Sequence, residues 1–489
     1  MQLRLFLTIL AAITCTFSSQ STNAAHSESF DPKPWIEDLH QIISEMSSHY
    51  ANLESAVNDR RMDLPHLRLD TEAKLRQATD EPEARRIIEK FPASFGDGHL
   101  EIEWLKSGTR SKPSDGTPQT LCDRLGYRNN LHPGLNFPVV PEFSSSKTAE
   151  SNFFPGGLLR LGNGTTIGIL RIGLLSEHAY PEFCKQAVQQ LQLGDNADCD
   201  DKCDDRVEIT TANLLTAALG RRAESLRLAG ATALLVDITH NGGGSDWVEP
   251  ASRALSRVPL RDSKMAFVKH EHWIKLLQDH LRDVQIDQKN RTDSPISMER
   301  ASNTLEKAID ESQRTCDTST VWETGNLNCS MLVKNLLFTS GEVVAYTKAD
   351  SLASLQSKED LFYPSRYAYA ENPKALTLYV VVDRDTWSAA EYFAAMLQDN
   401  HAATIIGEVT GGAGCGYTDG GIPAKLKNSA AQLKMPDCVR FRADGSNEVK
   451  GINPDVLLSW SSHDSEFQRV QKLLQVLERL SHKSTKVAK

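Results

Sequence analysis

This sequence has fewer basic residues than acidic ones. Its 54 Lys and Arg residues are outnumbered by 64 Asp and Glu residues, which leaves a formal net charge of −10. Phosphate backbones are bound by clustered Lys and Arg side chains, and the sequence contains no basic stripe. We therefore predict no nucleic-acid partner, and we interpret the acidity as a source of solubility.

Long apolar runs are also missing. The apolar stretch from Leu5 to Thr16 is shorter than the about 20 residues of a membrane-spanning helix, and no later segment is long and apolar enough. The stretch from Leu5 to Thr16 follows Arg4 and is followed by small polar residues that end near Ala25. This arrangement is typical of an export signal. We predict a signal peptide over residues 1–25, no transmembrane anchor, and an exported protein that is periplasmic or secreted.

Metal-binding motifs are missing as well. No Cys-x-x-Cys pair occurs, and His270-Glu271-His272 lacks the His-Glu-x-x-His spacing of a zinc peptidase. We predict no metal and no organic cofactor. Removal of Cys15 with the signal would leave eight cysteines, an even number that favours disulfides in an exported chain.

Helical and strand patterns divide the remaining chain. Residues 26–93 are predicted to form a helical N-terminal domain, whose first helix has one apolar stripe: Trp35, Leu39, Ile42, Ile43 and Met46. Residues 94–489 are predicted to form an α/β core, because short apolar runs that suit buried strands alternate with helical stretches. These runs lie at 167–172, 233–238, 378–382 and 403–406.

A polar, charged segment interrupts this core. Residues 255–335 are predicted to be a helical insertion, with helical spacing over 265–283 and 296–312.

Three loops carry residues that could do chemistry. The first, Asp237–Gly244, places three consecutive glycines after a buried strand, where free backbone N–H groups could form an oxyanion hole. A tight structural turn is the alternative. A phosphate loop is disfavoured, since the Gly-Lys-Ser/Thr ending of such loops is missing.

The second loop contains Ser388, between a strand and a helix. There its hydroxyl could act as a nucleophile, or it could simply cap the helix. The third contains His99, between a glycine turn and a predicted apolar strand. His99 could be an exposed base or a structural histidine.

The order of these pieces resembles the serine proteases of the tail-specific (C-terminal processing) and tricorn-core superfamily. The matching motifs are Asp97-Gly98-His99, Ile167–Ile172, Asp237–Gly244, Ser388-Ala389-Ala390-Glu391, Gly407–Gly412, a hairpin at Leu426–Ser429 and Glu448–Asp455. The resemblance implies an α/β fold with a crotonase-like ββα-spiral protease core. It also implies a serine-type peptidase that hydrolyses peptide or protein substrates.

The family has two catalytic arrangements. The Ser–Lys version does not fit, because Ala413 occupies the position of the lysine and no Lys lies between Ser388 and Lys425. The tricorn-like version implies Ser388 as nucleophile, His99 as base and Glu448 as the residue that orients the imidazole, directly or through an intervening group. That pattern has a Ser before the His, where this chain has Gly98.

The implied oxyanion donors are the backbone N–H groups of Gly242, Gly243, Gly244 and Ala389. By comparison with the family, Asp237, Asn241, Glu391 and Asp455 are interpreted as structural. His240, beside the glycine loop, could touch substrate, but we interpret it as a surface histidine.

Many tail-specific proteases carry a PDZ domain after the Asp-x-His element. We predict none here, since the stretch between His99 and Ile167 is short for one and has no Gly-Leu-Gly loop. The superfamily also includes binding modules, so a non-catalytic ligand- or peptide-binding protein on the same fold is the alternative function. An esterase on the same machinery is a third.

The predicted hairpin suggests one disulfide, and the spacing of the other cysteines suggests further ones. If residues 426–429 form its turn, Cys415 and Cys438 lie at nearly equal distances from it and could be cross-strand partners. Cys316 and Cys329 could close a small loop in the insertion. Cys199 and Cys203 could pair with each other, or with Cys122 and Cys184.

Overall fold

The computed structural model describes residues 30–104, 120–290, 296–338, 341–369, 372, 374–417 and 424–487. The predicted signal peptide, residues 1–25, lies outside these ranges. Within them, no helix combines the length and apolarity that a membrane crossing requires.

Strands and helices alternate along much of the chain. The strands are β1 (Glu101–Glu103), β2 (Phe143–Ser145), β3 (Gly156–Arg160), β4 (Thr166–Arg171), β5 (Ala233–Asp237), β6 (Lys264–Val268), β7 (Leu332–Phe338), β8 (Thr377–Val382), β9 (Ala403–Gly407), β10 (Ala424–Lys425), β11 (Gln432–Lys434), β12 (Cys438–Phe441) and β13 (Val456–Leu457). The helices are α1 (Lys33–His49), α2 (Leu53–Asn58), α3 (Leu64–Gln77), α4 (Glu81–Ala93), α5 (Leu121–Arg124), α6 (Pro181–Gln190), α7 (Asp201–Leu228), α8 (Val248–Leu255), α9 (Glu271–Asn290), α10 (Met298–Ser312), α11 (Val321–Thr324), α12 (Lys358–Leu361), α13 (Ala389–Asp399) and α14 (Glu466–Val487).

A mixed sheet forms the centre of the molecule, with the strand order β13-β9-β8-β5-β4-β3-β2. The strands from β13 to β4 are parallel neighbours, whereas β3 and β2 continue the sheet in antiparallel pairing. The carboxyl ends of β5 and β8 therefore meet at one edge. The loops that carry Asp237–Gly244 and Ser388 start at this edge.

Both faces of the central sheet are buried, which explains the continuous apolar runs in its strands. On one face, Val236 and Val380 pack with residues of α7, α8 and α13. On the other face, Leu235 and Val381 pack against Leu473 and other residues of α14. The four strands predicted from apolar runs are β4, β5, β8 and β9.

The segment predicted to be a helical insertion, residues 255–335, contains strand residues as well as helices. Helices α9 and α10 pack around Trp273 and Leu305, and β6 and β7 form an antiparallel sheet with β12. The helical prediction for 265–283 is wrong at its start, since Met265–Val268 belongs to β6. Its residues pair with a strand more than 150 positions away, a contact that local spacing does not report.

Helices α1 to α4 pack together on a core that includes Leu39, Ile42 and Met46 of the predicted stripe. The same core takes in Leu426 and Leu433, so these helices contact the sheet formed by β1, β11 and β10. The helical region therefore packs against the sheet that contains β1, the strand that follows His99.

The described residues contain four disulfides: Cys122–Cys184, Cys199–Cys203, Cys316–Cys329 and Cys415–Cys438. Cys438 is the cross-strand partner of Phe267 in β6. Cys415 precedes the hairpin of β10 and β11 and lies outside any strand. The expectation that Cys415 and Cys438 are cross-strand partners of that hairpin is therefore wrong, although the two residues are bonded.

Candidate active site

Ser388 lies on a tight turn between β8 and α13. Its backbone has φ +53° and ψ −122°, a conformation that non-glycine residues adopt rarely and at a cost in free energy. Its N–H donates to Oε2 of Glu391 at 3.0 Å, and the N–H of Trp387 donates to the carbonyl of Asn241 at 2.9 Å. The turn is thus held by neighbours on both sides, and the half-buried hydroxyl is free to face the cleft.

His99 is the partner of that hydroxyl. Its Nε2 lies 3.0 Å from Oγ of Ser388, while Nδ1 lies 2.8 Å from the carbonyl oxygen of Ala413 and 3.2 Å from that of Cys415. Carbonyl oxygens only accept hydrogen bonds, so Nδ1 carries the proton. Nε2 therefore presents its lone pair to the hydroxyl.

The backbone of His99 is fixed from the helical region. Its N–H donates to Oδ1 of Asp97 at 3.0 Å. The other oxygen of this buried carboxylate accepts from the Tyr50 hydroxyl at 3.0 Å and from the Asn52 amide at 2.9 Å. Burial raises the pKa of Asp97, and these hydrogen bonds oppose the shift. Sequence reasoning did not identify Tyr50 or Asn52, which lie more than 40 residues upstream in a region with no motif.

Tyr417 covers the other side of His99. Its hydroxyl donates to the carbonyl of His99 at 2.6 Å, and its ring meets the imidazole edge-on with centroids 5.5 Å apart. Sequence reasoning did not identify this residue either. Its place after the glycine-rich segment 411–416 was the available signal.

The glycine loop passes directly under Ser388. A Cβ on Gly243, which has φ +101°, would lie 2.6 Å from Cβ of Ser388. The N–H of Gly243 donates to Oδ1 of Asn241 at 3.0 Å. Asn241 also donates to the carbonyl of Ile172 at 3.1 Å. Gly243 therefore allows close approach, and its N–H is already occupied.

The four predicted oxyanion donors fall into two groups, according to whether the residue lines the cleft and its N–H is free of a hydrogen bond. Gly244 and Ala389 line the cleft with Ser388, and within the described parts of the chain their N–H groups have no hydrogen-bond partner. Gly242 is exposed and does not line the cleft. Two of the four groups are thus near the hydroxyl and available to an oxygen atom.

Glu448 does not contact His99. Its buried carboxylate accepts from Nη1 of Arg440 at 2.9 Å, whereas Nδ1 of His99 faces backbone carbonyls. Of the two forms predicted for the orienting role of Glu448, the direct contact is therefore wrong, and an action through an intervening group stays a prediction. Burial raises the pKa of Glu448, and Arg440 opposes the shift. Arg440, whose charge is permanent, is the ion-pair partner of this carboxylate.

The cleft beside Ser388 has a volume of about 310 Å³. Val248, Met265 and Tyr392 supply apolar wall, and the Cys415–Cys438 disulfide closes one side. Arg440 also lines the cleft, with its guanidinium 3.9 Å from the ring centroid of Tyr392. The space accommodates a side chain next to the nucleophile.

The residues interpreted as structural make fixed contacts. Asp237 is buried and accepts from Arg171 at 3.2 Å and from the Thr239 hydroxyl at 2.7 Å. Asp455 accepts from the N–H of Ile405 at 2.7 Å. His240 is 41 % exposed and lies 3.1 Å from Asp383.

Among the residues that the structure describes, two groups of side chains have ligand atoms close enough to hold a metal ion. They are Glu177, His178 and Glu208, and His240, Asp383 and Asp385. Neither group includes a residue that lines the cleft.

Comparisons with known proteins address the fold and the family of the chain. Mature CPAF in complex with lactacystin has a similar fold, with a TM-score of 0.54 and 14% sequence identity over 92% of this chain and 98% of that one. A serine-to-alanine mutant of CPAF gives a TM-score of 0.55 and 13% identity over 91% of this chain and 96% of that one. No curated protein sequence matches the chain. The profile of peptidase family S41 matches residues 207–458, about half of the chain. The protein has the α/β protease core of that family together with helical regions, and it belongs to peptidase family S41.

Proposed function

We propose that the chain is an exported serine peptidase in which Ser388 is the nucleophile and His99 is the general base. The observation that carries the proposal is the 3.0 Å contact between Nε2 of His99 and Oγ of Ser388, made by an imidazole whose Nδ1–H is held by carbonyls. A serine hydroxyl needs such a base to attack a carbonyl near neutral pH.

The reaction begins when Oγ of Ser388 attacks the carbonyl carbon of the scissile peptide bond. Nε2 of His99 takes the hydroxyl proton as the C–O bond forms. The tetrahedral intermediate then collapses, and the imidazolium gives the same proton to the leaving nitrogen as the C–N bond breaks. An amine leaves, and an acyl ester remains on Ser388.

Water completes the cycle. His99 takes a proton from a water molecule that attacks the ester carbon, and it returns the proton to Oγ as the ester bond breaks. The products are a carboxylic acid and the regenerated hydroxyl. In both steps the negative charge develops on the substrate oxygen, next to the N–H groups of Gly244 and Ala389. Donors of this kind each contribute about 10²–10³ in turnover.

Backbone carbonyls orient the imidazole of His99. The carbonyls of Ala413 and Cys415 hold Nδ1–H and select the tautomer that leaves Nε2 free. We propose that Glu448 acts indirectly: it does not contact His99, and it holds Arg440 in place at the wall of the cleft. This differs from the arrangement that the family resemblance implied.

The organisation of the chain is part of the proposal. It comprises a signal peptide at 1–25, a helical domain at 26–93 and a catalytic core at 94–489 that carries the insertion 255–335 and no PDZ domain. Four disulfides support export, since such bonds persist in oxidising compartments. The proposed localisation is the periplasm or the extracellular medium.

The test is peptide hydrolysis by the mature protein. We expect incubation with unfolded proteins and peptide mixtures to give new termini, detected by mass spectrometry. Ser388→Ala should produce none, and His99→Ala should lower the rate by about 10³-fold or more.

The alternative function is a binding protein on the same fold. Saturable binding of peptides by the wild type and by Ser388→Ala, with no new termini from either protein, would favour this alternative and refute the peptidase.

A further inference from the structure

The carboxylate of Glu391 has four donors and no exposed surface. Oε1 accepts from the Thr410 hydroxyl at 2.5 Å and from the N–H of Gly412 at 2.8 Å. Oε2 accepts from the N–H of Ala413 at 2.7 Å and from the N–H of Ser388 at 3.0 Å. Glu391 itself is fully buried in the first turn of α13.

These contacts close a ring through the two reacting side chains. Ala413 donates its N–H to Glu391 and accepts from Nδ1 of His99 through its carbonyl. Ser388 donates its N–H to the same Oε2 atom, and its Oγ meets Nε2 of His99. One carboxylate thus sets the position of the nucleophile and of the carbonyl that holds the base.

From this ring we infer that Glu391 is a positioning residue for the reaction: it fixes the distance between Ser388 and His99 through the segment Thr410–Ala413. The inference rests on the proposed function, which it deepens. Helix capping alone would require only the contact with the N–H of Ser388. The other three donors lie 19 to 22 residues further along the chain.

Three of the four partners of Glu391 are backbone N–H groups, which can only donate, and at least one of them faces each carboxylate oxygen. The fourth partner, the Thr410 hydroxyl, also accepts from the N–H of Ile452 at 2.7 Å. An amide at position 391 would turn its NH₂ group towards existing donors in either orientation. One side of the ring must therefore open, because two facing donors repel.

The charges around this carboxylate act in opposite directions. The pKa of Glu391 is raised to about 7, chiefly by burial and to a smaller degree by the nearby Glu448, while the hydrogen bonds from Thr410, Ala413 and Gly412 lower it. The charge of Glu448 is offset by its ion pair with Arg440. The ionised form of Glu391 is the one that accepts all four hydrogen bonds.

The experiment compares Glu391→Gln with Asp287→Asn in the mature protein. Asp287 is a buried carboxylate in α9 of the insertion, and it accepts from the N–H and hydroxyl of Ser357 at 2.8 and 2.7 Å. It matches Glu391 in burial and lies outside the cleft. For wild type and both variants, we would measure kcat and KM on one cleaved peptide, the rate of labelling by a fluorophosphonate, and the melting temperature.

We expect Glu391→Gln to lower kcat and the labelling rate by about tenfold to a hundredfold, with KM within threefold of the wild-type value. Asp287→Asn should lower the melting temperature to a similar degree and leave kcat within twofold. Equal kcat values for the two variants, or an effect confined to KM, would overturn the inference about Glu391. The proposed peptidase function would not be affected by either result. A wild type that neither cleaves nor labels would refute the proposed function itself, and the inference with it.

Thr410→Val carries the test if Glu391→Gln does not fold. It removes one of the four donors and keeps the carboxylate. A fall in kcat of about threefold to tenfold with unchanged KM supports the ring, and an unchanged kcat contradicts it.

Discussion

Ser388 and His99 meet at 3.0 Å, yet their surroundings are built in different ways. Ser388 lies at a junction within the central sheet layer: it follows β8, immediately precedes the mostly buried α13, and has the Asn241–Gly243 loop packed against it. His99 follows the helical region, 289 positions earlier, and its imidazole is held by carbonyls of the segment 413–415. The nucleophile is therefore placed by the strand-to-helix junction and one adjoining loop, whereas the base is placed only where separate regions of the chain meet.

This difference has a consequence for mutations. Changes under Ser388 act directly on the hydroxyl. Changes around His99 act through tertiary packing and should give smaller, graded effects. Three predictions follow this order.

The largest effect is expected for Gly243→Ala, which acts on the Ser388 side. The new methyl group would lie 2.6 Å from Cβ of Ser388, so either the turn or the loop must move. We expect kcat/KM to fall by about 10²–10³-fold. Gly230→Ala is the matched control, since Gly230 has φ +102° and no heavy atom within 4 Å of the added Cβ.

The control variant has the same backbone strain without the steric clash. It should cost about 1 kcal/mol of stability and keep wild-type activity, measured by thermal unfolding and peptide hydrolysis. Equal activity in both variants would show that the loop under Ser388 is not tightly packed.

A smaller effect is expected for Gly98→Ser, on the His99 side. Its Cβ would lie 2.9 Å from the Trp387 ring and 3.1 Å from Cβ of Ala413. We expect kcat/KM to fall about tenfold as His99 is displaced. The Trp387 ring thus leaves little room for a side chain at position 98, where the tricorn-like pattern has a serine.

A double-mutant cycle measures this contact. Trp387→Leu should remove much of the penalty of Gly98→Ser, which gives a coupling energy of about 1 kcal/mol or more from the four kcat/KM values. Strict additivity would mean that the ring does not limit position 98.

The smallest effect on activity is expected from replacing Cys415 and Cys438 together by serine. The carbonyl of Cys415 contacts Nδ1 of His99, whereas the carbonyl of Ala413, which makes the shorter contact, keeps its own support from Glu391. We expect kcat to fall about threefold and stability to fall by about 3 kcal/mol.

Replacing Cys199 and Cys203 by serine is the control for this disulfide. That bond closes a sequence separation of 4 instead of 23, and neither cysteine lines the cleft. Less stability should be lost, and kcat should not change. A tenfold fall in kcat from the Cys415 and Cys438 replacement would contradict the view that Ala413 is the main support of His99.

The same difference explains what the sequence could predict. The strands β4, β5, β8 and β9 are buried on both faces, so their apolar runs are visible without knowing their neighbours. The place of Ser388 between a strand and a helix is equally local. Its proximity to His99 was inferred from the order of motifs in a family, and not from any pattern in the residues themselves.

Contacts that no sequence motif reports account for the errors. The carboxylate of Glu448 pairs with Arg440, eight positions earlier, across the turn that the Phe441–Asn447 bridge closes. Residues Met265–Val268 form a strand because β7 and β12 flank them, although their spacing also fits a helix. Tyr50 and Asn52 reach Asp97 from the helical region, and no motif marks them.

Fluorophosphonate labelling tests the central claim most directly. The reagent forms a covalent bond with a serine that has been activated as a nucleophile. We predict that the folded wild type is labelled at Ser388 alone, as mapped by peptide mass spectrometry. Ser388→Ala should give no labelling, and the labelling rate of His99→Ala should be about 10³-fold lower. A folded wild type without label, or a His99→Ala variant labelled at the wild-type rate, would contradict the account.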